Sequence, residues 1–225
     1  MSPVTEVVFI PLAEGQHPED PSSSLKPAFD KILQTIISQP GAQRLHWARQ
    51  IENPTIATMF IDWNSIADHQ KFIDSEPYKP FMEEVLGLTA GAPTLHHVHF
   101  NPQPTDALTL GGASEVLSIY FPASYSAEDI KAFEAAWATF EKNVTASTSD
   151  VKSVSVGWAE EELTIPGTED KGKLFQAVIG WTTMQHHLDY RNTQTFKDNI
   201  PALRGAKEVK AVVVFHITTQ EVKKQ

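Results

Sequence analysis

Apolar positions along this chain follow two rhythms, strict alternation in short runs and a three-to-four spacing in longer ones. Residues 4–12 are rich in β-formers and end at turn chemistry. Residues 23–39 place Leu25, Phe29, Ile32, Leu33 and Ile36 on one helical face, and Pro40-Gly41 stops that helix. Residues 44–50 and 55–63 read as two strands joined at Glu52-Asn53-Pro54, a hairpin. Asn64-Ser65 offers an N-cap for a second helix that carries Ile66, His69, Phe72 and Ile73. Pro77 and Pro80 interrupt it, residues 81–88 resume the helical spacing, and residues 94–100 form a closing strand. The predicted order is β-α-β-β-α-β.

The same order is then spelled a second time. Thr5-Glu6-Val7-Val8-Phe9 is echoed by Ser114-Glu115-Val116-Leu117-Ser118, and Leu45-His46-Trp47-Ala48-Arg49 by Val156-Gly157-Trp158-Ala159-Glu160. Ile61-Asp62-Trp63 followed by His69 returns as Ile179-Gly180-Trp181 followed by His187, with six positions from Trp to His in both. Val98-His99-Phe100 closes the first copy as Val213-Val214-Phe215 closes the second. The units are placed at 1–101 and 113–225, with a Pro- and Gly-bearing linker over 102–112. The largest insertion lies between Trp158 and Trp181 and reads as a longer polar hairpin loop.

Each copy describes a ferredoxin-like split βαβ unit, a four-stranded antiparallel sheet with both helices on one face. Leu45 and Trp47 share one face, Met59, Ile61 and Trp63 share another, and Val8 and Ile10 oppose Val7 and Phe9, so the strands are apolar on both sides. A sheet greasy on both faces needs a second cover, and the other copy supplies it. The expected fold is therefore α+β: two tandem ferredoxin-like βαββαβ repeats pairing their antiparallel sheets into a single-chain, pseudo-dimeric α+β barrel.

Composition narrows the function. Eighteen basic against 28 acidic residues give a net charge of −10, which repels nucleic acid and anionic membrane. No cysteine occurs, so disulfides, thiolate metal sites, iron–sulfur clusters and a Cys nucleophile are absent together. No secretory pattern opens the chain and no apolar run approaches the roughly 20 residues of a membrane span, making a cytoplasmic protein the expectation. Phosphate-binding loops, dinucleotide fingerprints, nucleophile elbows and zinc-protease motifs are missing as well.

The Trp that closes the third strand, the His six residues later, and the run from Gly41 to Trp47 together resemble the dimeric α+β barrel superfamily. Within it the chain is most similar to the antibiotic biosynthesis monooxygenase (ABM)-like proteins. The resemblance covers nearly all of both repeats. It implies tandem sheets paired in one chain, and a monomeric pseudo-dimer or weak homodimer. It is weak for chemistry, because this barrel also hosts heme enzymes, cyclases, isomerases, decarboxylases and binding proteins.

Candidate chemistry rests on imidazoles and aromatics. Trp63 and Trp181 read first as strand-end anchors and second as pocket walls. His69 and His187 lie near a helix N-terminus, where the macrodipole disfavours a protonated ring and leaves a neutral base or acceptor. Recurrence in both copies also suits a scaffold role. The closing strand carries His96 on one side and His97 and His99 on the other, and the second copy is expected to keep only a terminal His216. Two imidazoles on one face could seed a metal site, but no third ligand is identifiable, so no metal is expected. Tyr78 stands where barrel cyclases often place a His after a Pro, so this departure puts a cyclase-type base in doubt. His46, Trp47, Phe72 and Tyr120 are further candidate cavity residues.

The expected function is a small-molecule enzyme without a bound cofactor, heme included, acting on an aromatic or polyketide-like substrate held between sheet and helices. Oxygenation and cyclisation both start with proton removal, for which His69, His97 and His99 are candidate bases and Tyr78 a candidate donor. Trp63, His46, Trp47, Phe72, Tyr120, Trp181 and His187 are the expected substrate contacts. The rival reading is a stress-responsive or ligand-carrying barrel without chemistry.

Overall fold

The computed structural model describes residues 3–225. The chain divides into two compact units, one running to His99 and taking back Thr219–Gln225, the other Phe100–Thr218. The first unit contains β1 (Val4–Pro11), α1 (Lys26–Ile37), β2 (Ala42–Arg49), β3 (Ile56–Trp63), α2 (Ile66–Ile73), α3 (Tyr78–Leu88) and β4 (Thr94–Val98). Its strands lie in the order β2-β3-β1-β4, every pair antiparallel, as a split βαβ unit requires. Val8, Ile10, Met59 and Ile61 of the sheet pack against Phe29, Ile32, Leu33 and Ile36 of α1, with Phe72 and Val85 from α2 and α3.

Local chemistry sets the helix boundaries. Pro27 occupies the first turn of α1, where no intrahelical N–H is needed. Ser65 Oγ accepts from the Asp68 N–H and caps α2. Pro80 interrupts nothing: α3 starts at Tyr78, so Pro80 also falls in a first turn.

The second unit contains α4 (Thr105–Thr109), β5 (Ala113–Pro122), α5 (Ala127–Ser147), β6 (Val151–Trp158), β7 (Leu163–Thr164), β8 (Lys171–Trp181), α6 (Met184–Tyr190), α7 (Gln194–Arg204) and β9 (Ala211–Ile217). Its sheet runs β6-β8-β5-β9, and the polar insertion folds back as β7 beside β8. Phe133, Trp137, Phe140 and Val144 of α5 cover Leu117, Ile119, Phe121 and Phe175.

Two expectations need correction. The stretch 102–112 is not a free linker, because α4 lies within it and packs on β8 and β6 with Ala107 and Leu108 buried. Close approach explains its glycines. A Cβ on Gly111 would sit 2.1 Å from the Trp181 carbonyl oxygen, and one on Gly180 would sit 2.8 Å from the Ala107 carbonyl oxygen. Gly180 stands where the first copy has Asp62 because α4 leaves no room for a side chain. The second correction concerns the C-terminus. β10 (Gln220–Glu221) pairs with β2 of the first unit, and the Val222 N–H donates to the Leu45 carbonyl, so residues 219–225 complete the first unit rather than the second.

Candidate functional site

Each unit holds an apolar cavity between its sheet and its helices, about 220 Å³ in the first and about 180 Å³ in the second. In the first, β1 contributes Glu6, a single carboxylate on a strand face otherwise made of Val4, Val8 and Ile10. Register sets Glu6 between Ile61 on β3 and His97 on β4. Trp63, the last residue of β3, donates from Nε1 to Glu6 Oε2 at 2.8 Å. Two residues later the chain reaches the Ser65 cap, and the first turn of α2 then brings His69 over the indole, with the rings stacked at 4.9 Å. His69 Nε2 is 3.6 Å from Glu6 Oε2, and His69 Nδ1 meets His97 Nε2 at 2.8 Å.

Glu6, His69 and His97 are all at least nine-tenths buried and lie in one line. His69 Nε2 faces the Glu6 carboxylate at ion-pair rather than hydrogen-bond distance, and the His69 tautomer sets which of Nδ1 and His97 Nε2 donates. A proton taken up at His69 Nε2 sits beside that carboxylate, with Nδ1–H donating to His97 Nε2. Glu6 and His69 line the cavity, and His97 stands behind them. Phe72 and Tyr78 form part of its wall, edge-on to each other at 89°. Burial, and secondarily the charge of Glu6, raise the Tyr78 pKa, so its phenol stays protonated at neutral pH and serves as a donor rather than a base.

The second unit repeats the arrangement atom for atom. Trp181 Nε1 donates to Glu115 Oε2 at 3.0 Å, His187 Nε2 lies 3.3 Å from the same oxygen, and His187 Nδ1 meets His216 Nε2 at 2.6 Å. Thr183 replaces Ser65 as the cap. His216 is therefore the counterpart of His97, each facing its glutamate across the sheet. The expectation of an asymmetric closing strand is corrected: matching Phe100 to Phe215 set that strand out of register with the structure.

Glu6, Glu115 and the pairing of His216 with His187 are the features the sequence reading passed over. The signal was the first echo, which aligned Glu6 with Glu115 inside apolar strands.

Four expected site residues lie elsewhere. His99 follows the end of β4 at Val98 and turns Nδ1 to the Pro3 carbonyl, outside the cavity and off the face of His97. Trp47 is on the helix side but packs on Phe29 with centroids 4.7 Å apart, away from His69. Tyr120 alternates with Ile119 and so lies on the sheet face away from the helices, where burial raises its pKa. His46, opposite Phe60 on β3, is likewise on the far face of its sheet. Among the described residues, no group of three His, Cys, Asp or Glu is arranged to hold a metal ion. No described helix is long and apolar enough to cross a membrane.

His46 is 2% exposed and its Nε2 has no hydrogen-bond partner. Burial lowers its pKa, with Asp62 and Glu221 pulling the other way. An unfolded imidazole titrates near about 6.5. As pH falls through that value the unfolded chain binds a proton that the folded chain refuses, and stability declines until the depressed folded pKa is reached. Urea midpoints therefore fall between about pH 7.5 and about pH 5.5, and fall less in His46→Gln; identical slopes in the two proteins would refute this.

Residues 9–84 match the family described as antibiotic biosynthesis monooxygenase. No curated protein is significantly similar to the chain. Among solved structures, a monooxygenase candidate from Lactobacillus acidophilus is 11% identical, with 100% of this chain and 97% of that one covered at a TM-score of 0.57. A second candidate, from Fusobacterium nucleatum, is 15% identical, with 100% and 99% covered at 0.60. An anthrone oxidase-like protein is 14% identical, with 98% and 94% covered at 0.66. At such identities the three structures establish a shared architecture over the whole chain and leave the chemistry to the side chains.

Proposed function

We propose, starting from the match of residues 9–84 to the antibiotic biosynthesis monooxygenase family, that the first cavity performs a cofactor-independent oxygenation. The substrate class is an activated aromatic or polyketide-like compound, a quinol or an anthrone. The observation behind this reading is the buried line Glu6–His69–His97 at the wall of an apolar cavity that also presents a neutral phenol. A cavity of about 150 Å³ already holds a benzene ring, so the space accepts a compact aromatic nucleus.

The substrate's acidic C–H or O–H proton passes to His69 beside Glu6, and His97 accepts from the Nδ1–H of the same ring. Tyr78 donates to the carbonyl oxygen on which negative charge collects. The carbanion gives one electron to dioxygen, and the resulting radical pair joins as a peroxide anion that takes the proton back from His69 to become the hydroperoxide. Loss of water leaves a new carbonyl. For a methylene substrate the balance is one substrate and one dioxygen consumed, one ketone and one water formed.

A second reading, ligand holding without turnover, draws support from the recurrence of the Glu–Trp–His–His set in both units. Dissolved-oxygen uptake with anthrone, corrected for autoxidation, separates the readings. Oxygenation predicts one dioxygen per anthraquinone with no added metal or flavin. Rearranged product from a polyketide-like substrate without uptake would indicate cyclisation, and saturable binding with no product would indicate a holder.

A further inference from the structure

The two cavities share a frame and differ in charge at the mouth. Tyr190 and Phe196 meet edge-on at 81°, as Phe72 and Tyr78 do, which aligns α6 and α7 with α2 and α3. On that alignment Arg191 stands in place of Ile73, and Arg204 in place of Leu86. Both arginines are exposed and line the second cavity, and both continue with Lys197 into the groove outside it. No lysine or arginine among the described residues lines the first cavity.

Neither guanidinium has an ion-pair or side-chain hydrogen-bond partner among the described residues. The chain's other two arginines are both matched, Arg44 with Asp62 at 3.7 Å and Arg49 with Glu19. The acids of α6 and α7 are engaged within their own helices: Asp189 accepts from Gln185, and Asp198 from Gln194. On a surface of net charge −10, two unmatched arginines at one apolar opening form a local attraction for an anion.

We propose that the second cavity is a binding site for an apolar monocarboxylate. The tail enters among Leu117, Ile119, Ile179, Phe140 and Leu203, and the carboxylate stays at the mouth, where Arg191 and Arg204 supply the counter-charge. Entry in the other sense would carry the carboxylate towards Glu115 at the closed end. About 180 Å³ holds a single ring or a short alkyl tail. The Tyr190 hydroxyl is already engaged with Ser147 at 3.0 Å, so the walls add little polar selectivity. The site is separate from the oxygenation proposed for the first unit and stands whether or not that reading does.

Titration calorimetry with octanoate, and with octan-1-ol as its uncharged counterpart, tests the assignment on the full chain. Octanoate is expected to bind at one saturable site, more tightly than the alcohol. The double variant R191Q/R204Q is expected to weaken octanoate by about tenfold and the alcohol by less than about twofold. Both substituted side chains are exposed, so folding is not at risk. Leu203→Trp, which fills the cavity, is expected to remove both ligands, with Ile200→Trp as substitute if the first fails to fold. Absent octanoate binding, equal affinity for the two ligands, unchanged octanoate affinity in R191Q/R204Q, or binding that survives a folded cavity-filling variant would each overturn the proposal.

Discussion

His69→Ala lowers the rate of oxygen uptake on anthrone by about 10²- to 10⁴-fold, the range a positioned acid–base group supplies. The loss falls on kcat more than on KM, because the imidazole acts on a proton rather than holding the ring system. Alanine also leaves Glu6 with its Trp63 partner but without the group that shares its proton. His187→Ala removes the matching imidazole in the second unit and leaves uptake within about threefold if chemistry belongs to the first cavity. His97→Ala takes away the far end of the line, so it shifts the pH profile more than it lowers the plateau rate. Uptake within a factor of three of the parent in the His69→Ala/His187→Ala double variant, in a protein of unchanged melting temperature, would remove the base assignment. A loss of about half in each single variant, with uptake abolished in the double variant, would instead show two working cavities.

Gly111→Ala is expected to cost about 3 kcal/mol or more, since overpacking here meets backbone that cannot rotate away. The added methyl would sit 2.1 Å from the Trp181 carbonyl oxygen and 3.1 Å from the Trp181 nitrogen. Either α4 lifts from β8 or the end of β8 moves, and Trp181 holds Glu115 in place. For a domain of this size the loss corresponds to roughly 6–12 °C in Tm. Gly87→Ala is the control: a Cβ there meets nothing within 4 Å, and relief of helix-interior glycine shifts stability upward by no more than about 1 kcal/mol. If both variants melt with the parent, the close contact between α4 and β8 is not load-carrying.

The element order was legible because its punctuation is local. Pro40-Gly41 ends α1, Ser65 and Thr183 cap the helices that follow Trp63 and Trp181, and alternation marks the strands between. The linker was misread because Pro102, Pro104, Gly111 and Gly112 look like flexible chain, whereas these glycines are small in order to let backbone touch backbone. Imidazoles drew attention in proportion to their rarity. His69 and His97 indeed meet, but His46 and His99 differ from them only in strand parity and strand end, which one residue of register decides. Glu6 escaped notice for the opposite reason: a glutamate in a strand reads as a solvent-facing position until its neighbours across the sheet are known. Charge at the second cavity was equally hidden, since Arg191 and Arg204 are unremarkable helix-end residues until the fold sets them at one opening.

The tail that pairs with β2 gives the two units unequal histories during synthesis. At roughly 5–20 residues per second, all the residues of the second unit leave the ribosome before the first receives its outermost strand. Until then β2 presents an unpaired edge that carries Leu45, His46 and Trp47, a template for any passing strand. Nascent chains of this protein thus carry that open edge while the second unit is being made, a window in which a chaperone has something to shield.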